Sequence, residues 1–146
     1  MSTRVSPKLT VSPSHELKKH GILFDVIRII ASVTFAHGAT WTWADDAFVD
    51  TGAWISIIPH DIWQYMDFKI IQDCLNVAIG GEYTKADFCE VTMRVLDATM
   101  VSPSMIIRAY LCASDRIPLI LGIGDILTNC NFFCSYRSHS AYLEFP

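Results

Sequence analysis

The chain has 146 residues, enough for one domain that buries about two-thirds of the surface its unfolded form exposes. An apolar fraction of 51% supports a packed core, and a net charge of −4 leaves no basic face of the kind nucleic acid requires. Five cysteines, Cys74, Cys89, Cys112, Cys130 and Cys134, are odd in number, irregularly spaced and without a secretory leader. They read as reduced, mostly buried thiols of a cytoplasmic protein.

In chain order, residues 1–20 are polar, with Ser6-Pro7 and Ser12-Pro13 among scattered apolar residues. They read as a flexible tail ahead of a single domain at 21–146. No apolar core of signal-peptide length lies within them. The stretch Ile22 to Phe35 carries Asp25 and Arg28 and falls short of the ~20 apolar residues that span a bilayer, so no membrane partner is expected. Rich in Ile and Val, it reads as a strand or strand pair. A turn at His37–Thr40 leads through Trp41–Asp46 to a strand, Ala47–Val49, that ends at Asp50. After Pro59, His60 to Met66 fits one or two helical turns, with Ile62, Trp63 and Met66 on one side. Two glycines, Gly80 and Gly81, separate β-like segments. From Cys89 to Val95 the sequence alternates, with Cys89, Val91, Met93 and Val95 facing one way. A turn at Ser102–Ser104 precedes a strand at Met105–Cys112, and Asp115-Arg116 marks the turn before a strand reaching Gly122. Asp125 is placed to cap a short helix through Leu127. Strands near Asn131–Tyr136 and Ala141–Phe145 complete one β-rich domain without repeat or linker.

Within this order, Phe48-Val49-Asp50-Thr51-Gly52-Ala53 delivers a carboxylate at the end of an apolar run, then re-enters one at Trp54-Ile55-Ser56-Ile57-Ile58-Pro59. A strand that ends, presents an acid at a tight turn and resumes has this pattern, and Gly52 permits the turn. Asp, Thr and Gly are also ordinary turn residues. The arrangement resembles the active-site loop of the retropepsin-like aspartic proteases. About seventy residues further on, Leu119-Ile120-Leu121-Gly122-Ile123-Gly124-Asp125-Ile126-Leu127 is similar to the second element of that family, an apolar pair ending in Gly that packs beneath the loop.

The resemblance implies an all-β, closed β-barrel that forms a homodimer, acting on peptide or protein substrates as an aspartic endopeptidase without metal or cofactor. Acid proteolysis of this kind uses two carboxylates that share a proton. The chain supplies one Asp-Thr-Gly, so Asp50 would face its symmetry mate across a two-fold axis. Such a pair titrates as a unit and places activity below or near neutral pH. By the same resemblance, Thr51 would bond to the partner's loop and Gly52 would meet the substrate backbone, alongside Ala53. Ile79-Gly80-Gly81 is similar to the flap that closes on bound peptide, though an ordinary β-turn reads equally well there. Ser56, Leu121, Gly122 and Asp125 would support the active-site loop. The alternative is a non-catalytic dimeric β-barrel that binds peptides or a partner protein in the same groove.

Two positions depart from the retroviral pattern, where an acid after Asp-Thr-Gly-Ala pairs with an Arg after the second-element Gly. Here they hold Trp54 and Ile123, which implies an apolar contact in place of a charged one, and Gly124 adds one residue to the loop. Cys130, Cys134 and His139 offer too few ligands for a closed metal site. His15, His20, His37 and His60 read as surface residues. Trp41, Trp43, Trp54 and Trp63 read as core or dimer-interface residues.

Overall fold

The computed structural model describes residues 1–146. Strands β1 (Thr3–Val5) and β2 (Lys8–Pro13) precede a single helical turn, α1 (His15–Lys18), and the long strand β3 (Asp25–His37). Then follow β4 (Thr40–Trp41), β5 (Asp45–Val49), β6 (Ser56–Ile58), α2 (His60–Trp63), β7 (Lys69–Ile79) and β8 (Glu82–Leu96). Strands β9 (Met105–Cys112) and β10 (Ile120–Leu121), a 3₁₀ turn at Leu127–Asn129, β11 (Asn131–Ser135) and β12 (Ser140–Phe145) end the chain. The fold is all-β with a few short helices. No helix is long and apolar enough to cross a membrane.

One sheet runs in the order β2-β3-β5-β10-β6-β9-β8-β7, with β4 on β3. Strand β3 also pairs antiparallel with β8 from Ser32↔Leu96 to Phe35↔Met93, so the path β3–β5–β10–β6–β9–β8 returns to its start. The alternation expected of β8 is observed: Cys89, Val91, Met93 and Val95 are buried, and they meet Ala31, Val33, Phe35, Ala109, Leu121 and Ile126 in one core. Trp63 donates its indole N–H to the Cys112 carbonyl (2.8 Å), which fixes α2 beside the end of β9.

Residues 1–20 are built into this body, which corrects the expected tail. Strand β1 pairs with β12 (Thr3↔Phe145, Val5↔Leu143) and β2 with β3 (Lys8↔Ile30 to Pro13↔Asp25). Val5 is 0% exposed in the main core. The Ser6 N–H donates to Asp97 Oδ2 (2.8 Å), and Arg4 pairs with Glu144. Strand β1 is three residues long with its partner more than a hundred residues away, and β2 fully buries no side chain, so neither carries a local periodicity and the segment reads as a tail. Of the four tryptophans, expected in the core or at a dimer interface, two lie outside the core. Trp63 packs against the core and Trp41 lies under the Arg94 guanidinium (4.2 Å), but Trp43 and Trp54 are 93% and 77% exposed.

Candidate active site

Strands β5 and β6 are consecutive in sequence but not neighbours in the sheet. Strand β10 lies between them, parallel to β5 (Ile120↔Phe48, Leu121↔Val49) and antiparallel to β6 (Ile120↔Ile57). The connection 50–55 must therefore cross the end of β10, while residues 122–124 pass against it. That crossing explains both glycines. A Cβ on Gly122 would stand 2.8 Å from the Ala53 carbonyl oxygen and 2.9 Å from the Ile55 carbonyl carbon, and one on Gly124 2.7 Å from the Trp54 carbonyl oxygen.

Hydrogen bonds close the crossing. The Asp50 N–H donates to the Leu121 carbonyl (2.9 Å), Ile123 N–H to Ala53 (2.8 Å) and Gly124 N–H to Trp54 (2.8 Å). Gly122 N–H donates to the Ser56 hydroxyl oxygen (3.0 Å), a bond sealed from water because Ser56 is 0% exposed. Within the loop, Ala53 N–H reaches the Asp50 carbonyl (3.2 Å) and Gly52 N–H reaches Asp50 Oδ1 (2.8 Å), so a β-turn and an Asx turn share one acid. Asp50, Thr51 and Gly52 are exposed and Ala53 half-buried. Ser56, Leu121 and Gly122 thus stand beneath the loop.

Asp125 is engaged differently from the expected cap. Its φ of +65° lies in the left-handed region, which cannot start a helix, and the 3₁₀ turn that begins at Leu127 has no side-chain cap. Arg108 on β9 holds both carboxylate oxygens, Nε to Oδ2 (2.8 Å) and a terminal nitrogen to Oδ1 (2.9 Å), and its N–H adds a third bond (2.9 Å). This fork holds the Asp125 carboxyl below its ordinary pKa, first through the side-chain hydrogen bonds. A charged tie therefore exists close to the loop, two residues beyond the apolar Ile123. Around Trp54 and Ile123 the two segments are joined by main-chain bonds, and the Trp54 side chain is largely exposed.

A cleft of ≈ 930 Å³ opens at Asp50. Gly52, Ala53, Ile79 and Gly80 line it, which brings the two expected halves of the site together; Thr51 and Gly81 are not part of its lining. Strands β7 and β8 form the hairpin, with Ile79↔Glu82 as the last pair. Its two-residue turn has Gly80 at φ +60° and Gly81 at φ +83°, the primed turn that glycine pairs favour. Beyond Ala86↔Cys112 this ribbon has no ladder to β9 except one bond from Ala113 N–H to the Lys85 carbonyl. The sequence carries no local sign that Arg108, Tyr110 and Ile117 belong to this region. The outward register of Arg108 in Met105–Cys112 was readable there; its acidic partner was not.

No family model matches the chain, and no curated protein matches it. Among solved structures, the crystal structure of a retropepsin-like aspartic protease from Rickettsia conorii is similar, with a TM-score of 0.52 and 10% sequence identity over 99% of this chain and 93% of that one. The likeness extends over nearly the whole of both chains and is one of fold.

Proposed function

We propose that the chain is an aspartic endopeptidase, active as a homodimer, that hydrolyses peptide bonds through a water held between Asp50 and the same residue of a second copy. The observation that carries this reading is the Asp50 turn itself, locked from beneath by Gly122 on Ser56 and opening into a cleft roofed by a glycine-tipped hairpin. The strand path that returns from β8 to β3 reads as the closed barrel of such enzymes. In the reaction, the ionised carboxylate takes a proton from water as the oxygen attacks the scissile carbonyl, while the protonated partner hydrogen-bonds the carbonyl oxygen. Collapse of the tetrahedral diol breaks the C–N bond as a proton passes to the leaving nitrogen. One carboxylate per chain makes the dimer a requirement of the chemistry.

The test is cleavage of a diverse peptide mixture from about pH 4 to 7 by wild type and Asp50→Asn, at concentrations where the dimer is populated. Cleavage by wild type alone, with specific activity that falls on dilution into monomer, is expected. Equal cleavage by Asp50→Asn, or full activity in a monomer, overturns the shared-dyad mechanism. Absence of cleavage by either dimeric protein, with peptides still bound, transfers the reading to a peptide-binding barrel.

A further inference from the structure

The end of the molecule that carries Asp50 also carries a projecting ribbon. Strand β3 runs antiparallel to β5 with Ile30 opposite Phe48, a register that sets Arg28 level with Asp50. Strand β3 begins three residues earlier, at Asp25, so it extends about 10 Å past the Asp50 turn. Over Asp25–Ile29 its one ladder partner is β2, out to the pair Asp25↔Pro13. Residues 14–24 close the tip, where Ser14 N–H donates to the Phe24 carbonyl (2.8 Å) and Ile22 N–H to the Leu17 carbonyl (3.0 Å). From Lys8 to Arg28 no side chain is buried, yet Ile22, Leu23 and Phe24 stand in a row, exposed at 48%, 85% and 60%. Single exposed apolar residues are common, but a run of three in water needs a function to explain it. The same stretch carries Lys8, Lys18, Lys19 and Arg28 against Glu16 and Asp25. Its charge is therefore +2, which leaves −6 on the rest of a chain whose total is −4.

We propose that this ribbon is a dimerisation arm, whose Ile22–Phe24 tip docks on the body of the second copy that brings the other Asp50. The inference rests on the reading of Asp50 as half of a shared pair, which requires a second copy at this end of the molecule. A copy that meets the Asp50 turn also meets a ribbon that reaches past it, and a two-fold axis gives each body one arm from its partner. Charge favours the same occupant, since a +2 arm approaches a −6 body. The C-terminal strand β12 has no free edge to offer a second copy, being paired on both sides by β1 and β11. Docking covers the apolar tip that one chain alone leaves in water, and supports a ribbon that by itself is marginally stable.

The experiment measures self-association of the full chain by sedimentation equilibrium. Wild type is compared with Leu23→Ser combined with Phe24→Ser, with Lys18→Glu combined with Lys19→Glu, and with Tyr65→Ser. Tyr65 is 64% exposed at the opposite end, near the bond from Asp67 N–H to the Ala36 carbonyl (2.9 Å), and serves as the control. The double Ser variant is expected to raise the dimer Kd roughly hundredfold or more, because a two-fold interface loses each side chain twice. Charge reversal raises it less, and chiefly at low salt; Tyr65→Ser leaves it unchanged. Hydrogen exchange on wild type reads the arm directly: amides in 14–28 should gain protection as rising concentration carries monomer into dimer. That measurement needs no variant, so it decides the question even where a substitution disturbs folding. A wild-type Kd in the double Ser variant, or arm amides no better protected in dimer than in monomer, overturns the proposal. If the dimer forms through the arm but wild type cleaves no peptide, the arm stands and the endopeptidase reading falls. If wild type cleaves as a dimer that the double Ser variant forms equally well, the reverse holds. A chain that stays monomeric at every concentration overturns both.

Discussion

Replacing Gly122 by Ala places one methyl where the Asp50 loop crosses β10. The added carbon meets the Ala53 carbonyl oxygen at 2.8 Å and two Ile55 main-chain atoms at 2.9 and 3.1 Å, about 0.6 Å inside ordinary contact at the tightest point. All three are backbone atoms, so no side chain can rotate away. Relief requires that the loop lift from residues 122–124, and overpacking of this kind costs about 1–3 kcal/mol. Lifting also breaks the buried bond from Gly122 N–H to the Ser56 hydroxyl, and a buried donor left unpaired costs about 1–3 kcal/mol more. The expected loss is about 2–6 kcal/mol, which in a domain of this size lowers Tm by roughly 6–20 °C.

Urea unfolding of wild type, Gly122→Ala and Ser56→Ala, with Gly81→Ala for comparison, reads these terms separately. Ser56→Ala loses the hydrogen bond without the clash and should fall between wild type and Gly122→Ala. Gly81 has a left-handed φ of +83° and open space where a Cβ would stand, so Gly81→Ala carries only the conformational cost, about 1–2 kcal/mol. A Gly122→Ala protein that unfolds at the wild-type midpoint, or no earlier than Gly81→Ala, would refute the claim that close approach fixes the Asp50 loop.

Three further outcomes are expected. Arg108→Ala should lower the unfolding midpoint at pH 7, and the gap to wild type should narrow on acidification: a carboxyl held below its ordinary pKa contributes stability above that value and loses it as pH falls through the lowered one. A gap that persists at pH 2 to 3, below the usual Asp range of about 3.9, would point to a role for Arg108 other than the ion pair. Alkylation at pH 8 followed by peptide mass mapping should label exposed Cys74 first, with Cys89 and Cys112 unlabelled until the protein unfolds, because burial pushes both thiols up to about 11. A chain that starts at Gly21 should be less stable and less active than the full chain, since it loses β2 and Val5, whose burial alone is worth about 2 kcal/mol. Equal Tm and equal cleavage would restore the view of residues 1–20 as a dispensable tail.

What was legible in the sequence is what leaves a local trace. Alternation marked Cys89–Val95, an apolar run marked Met105–Cys112, and the pair Asp50-Thr51-Gly52 and Leu121-Gly122 marked the two sides of the crossing because each carries its own turn chemistry. The first half of β7 left no such trace: Lys69 to Cys74 are exposed throughout, register shifts interrupt the pairing at Gln72 and again before Leu75, and Cys74 takes φ +55°. A strand that buries neither face has no period to read. Strand β1 is unreadable for another reason, since three residues are held by a partner at the opposite end of the chain. Asp125 was misassigned because its residue type suits a helix cap. Only the tertiary approach of Arg108 draws its carboxylate elsewhere.

The glycines of the site divide its mechanics. Gly122 and Gly124 are needed for proximity, and the segment that holds them couples the Asp50 turn to the sheet through four bonds, donated by Asp50 N–H, Ile123 N–H, Gly124 N–H and Gly122 N–H, while the Asx contact at Gly52 stays within the turn. Gly80 and Gly81 are needed for conformation, at the tip of a ribbon that beyond Lys85 pairs only with itself. A two-stranded ribbon is marginally stable alone. Any opening of the cleft is therefore expected of the hairpin, with the Asp50 turn held by the sheet. Val77 and Ile79 already rest on the cluster of Ile57, Ala86 and Cys112, so the cost of opening is the exposure of those two side chains. Polar substitution at Val77 or Ile79 should weaken that contact and raise KM with little change in Tm, because the hairpin lies outside the core that sets global stability. A fall in Tm as large as that of Gly122→Ala would show instead that the hairpin folds as one unit with the rest of the chain.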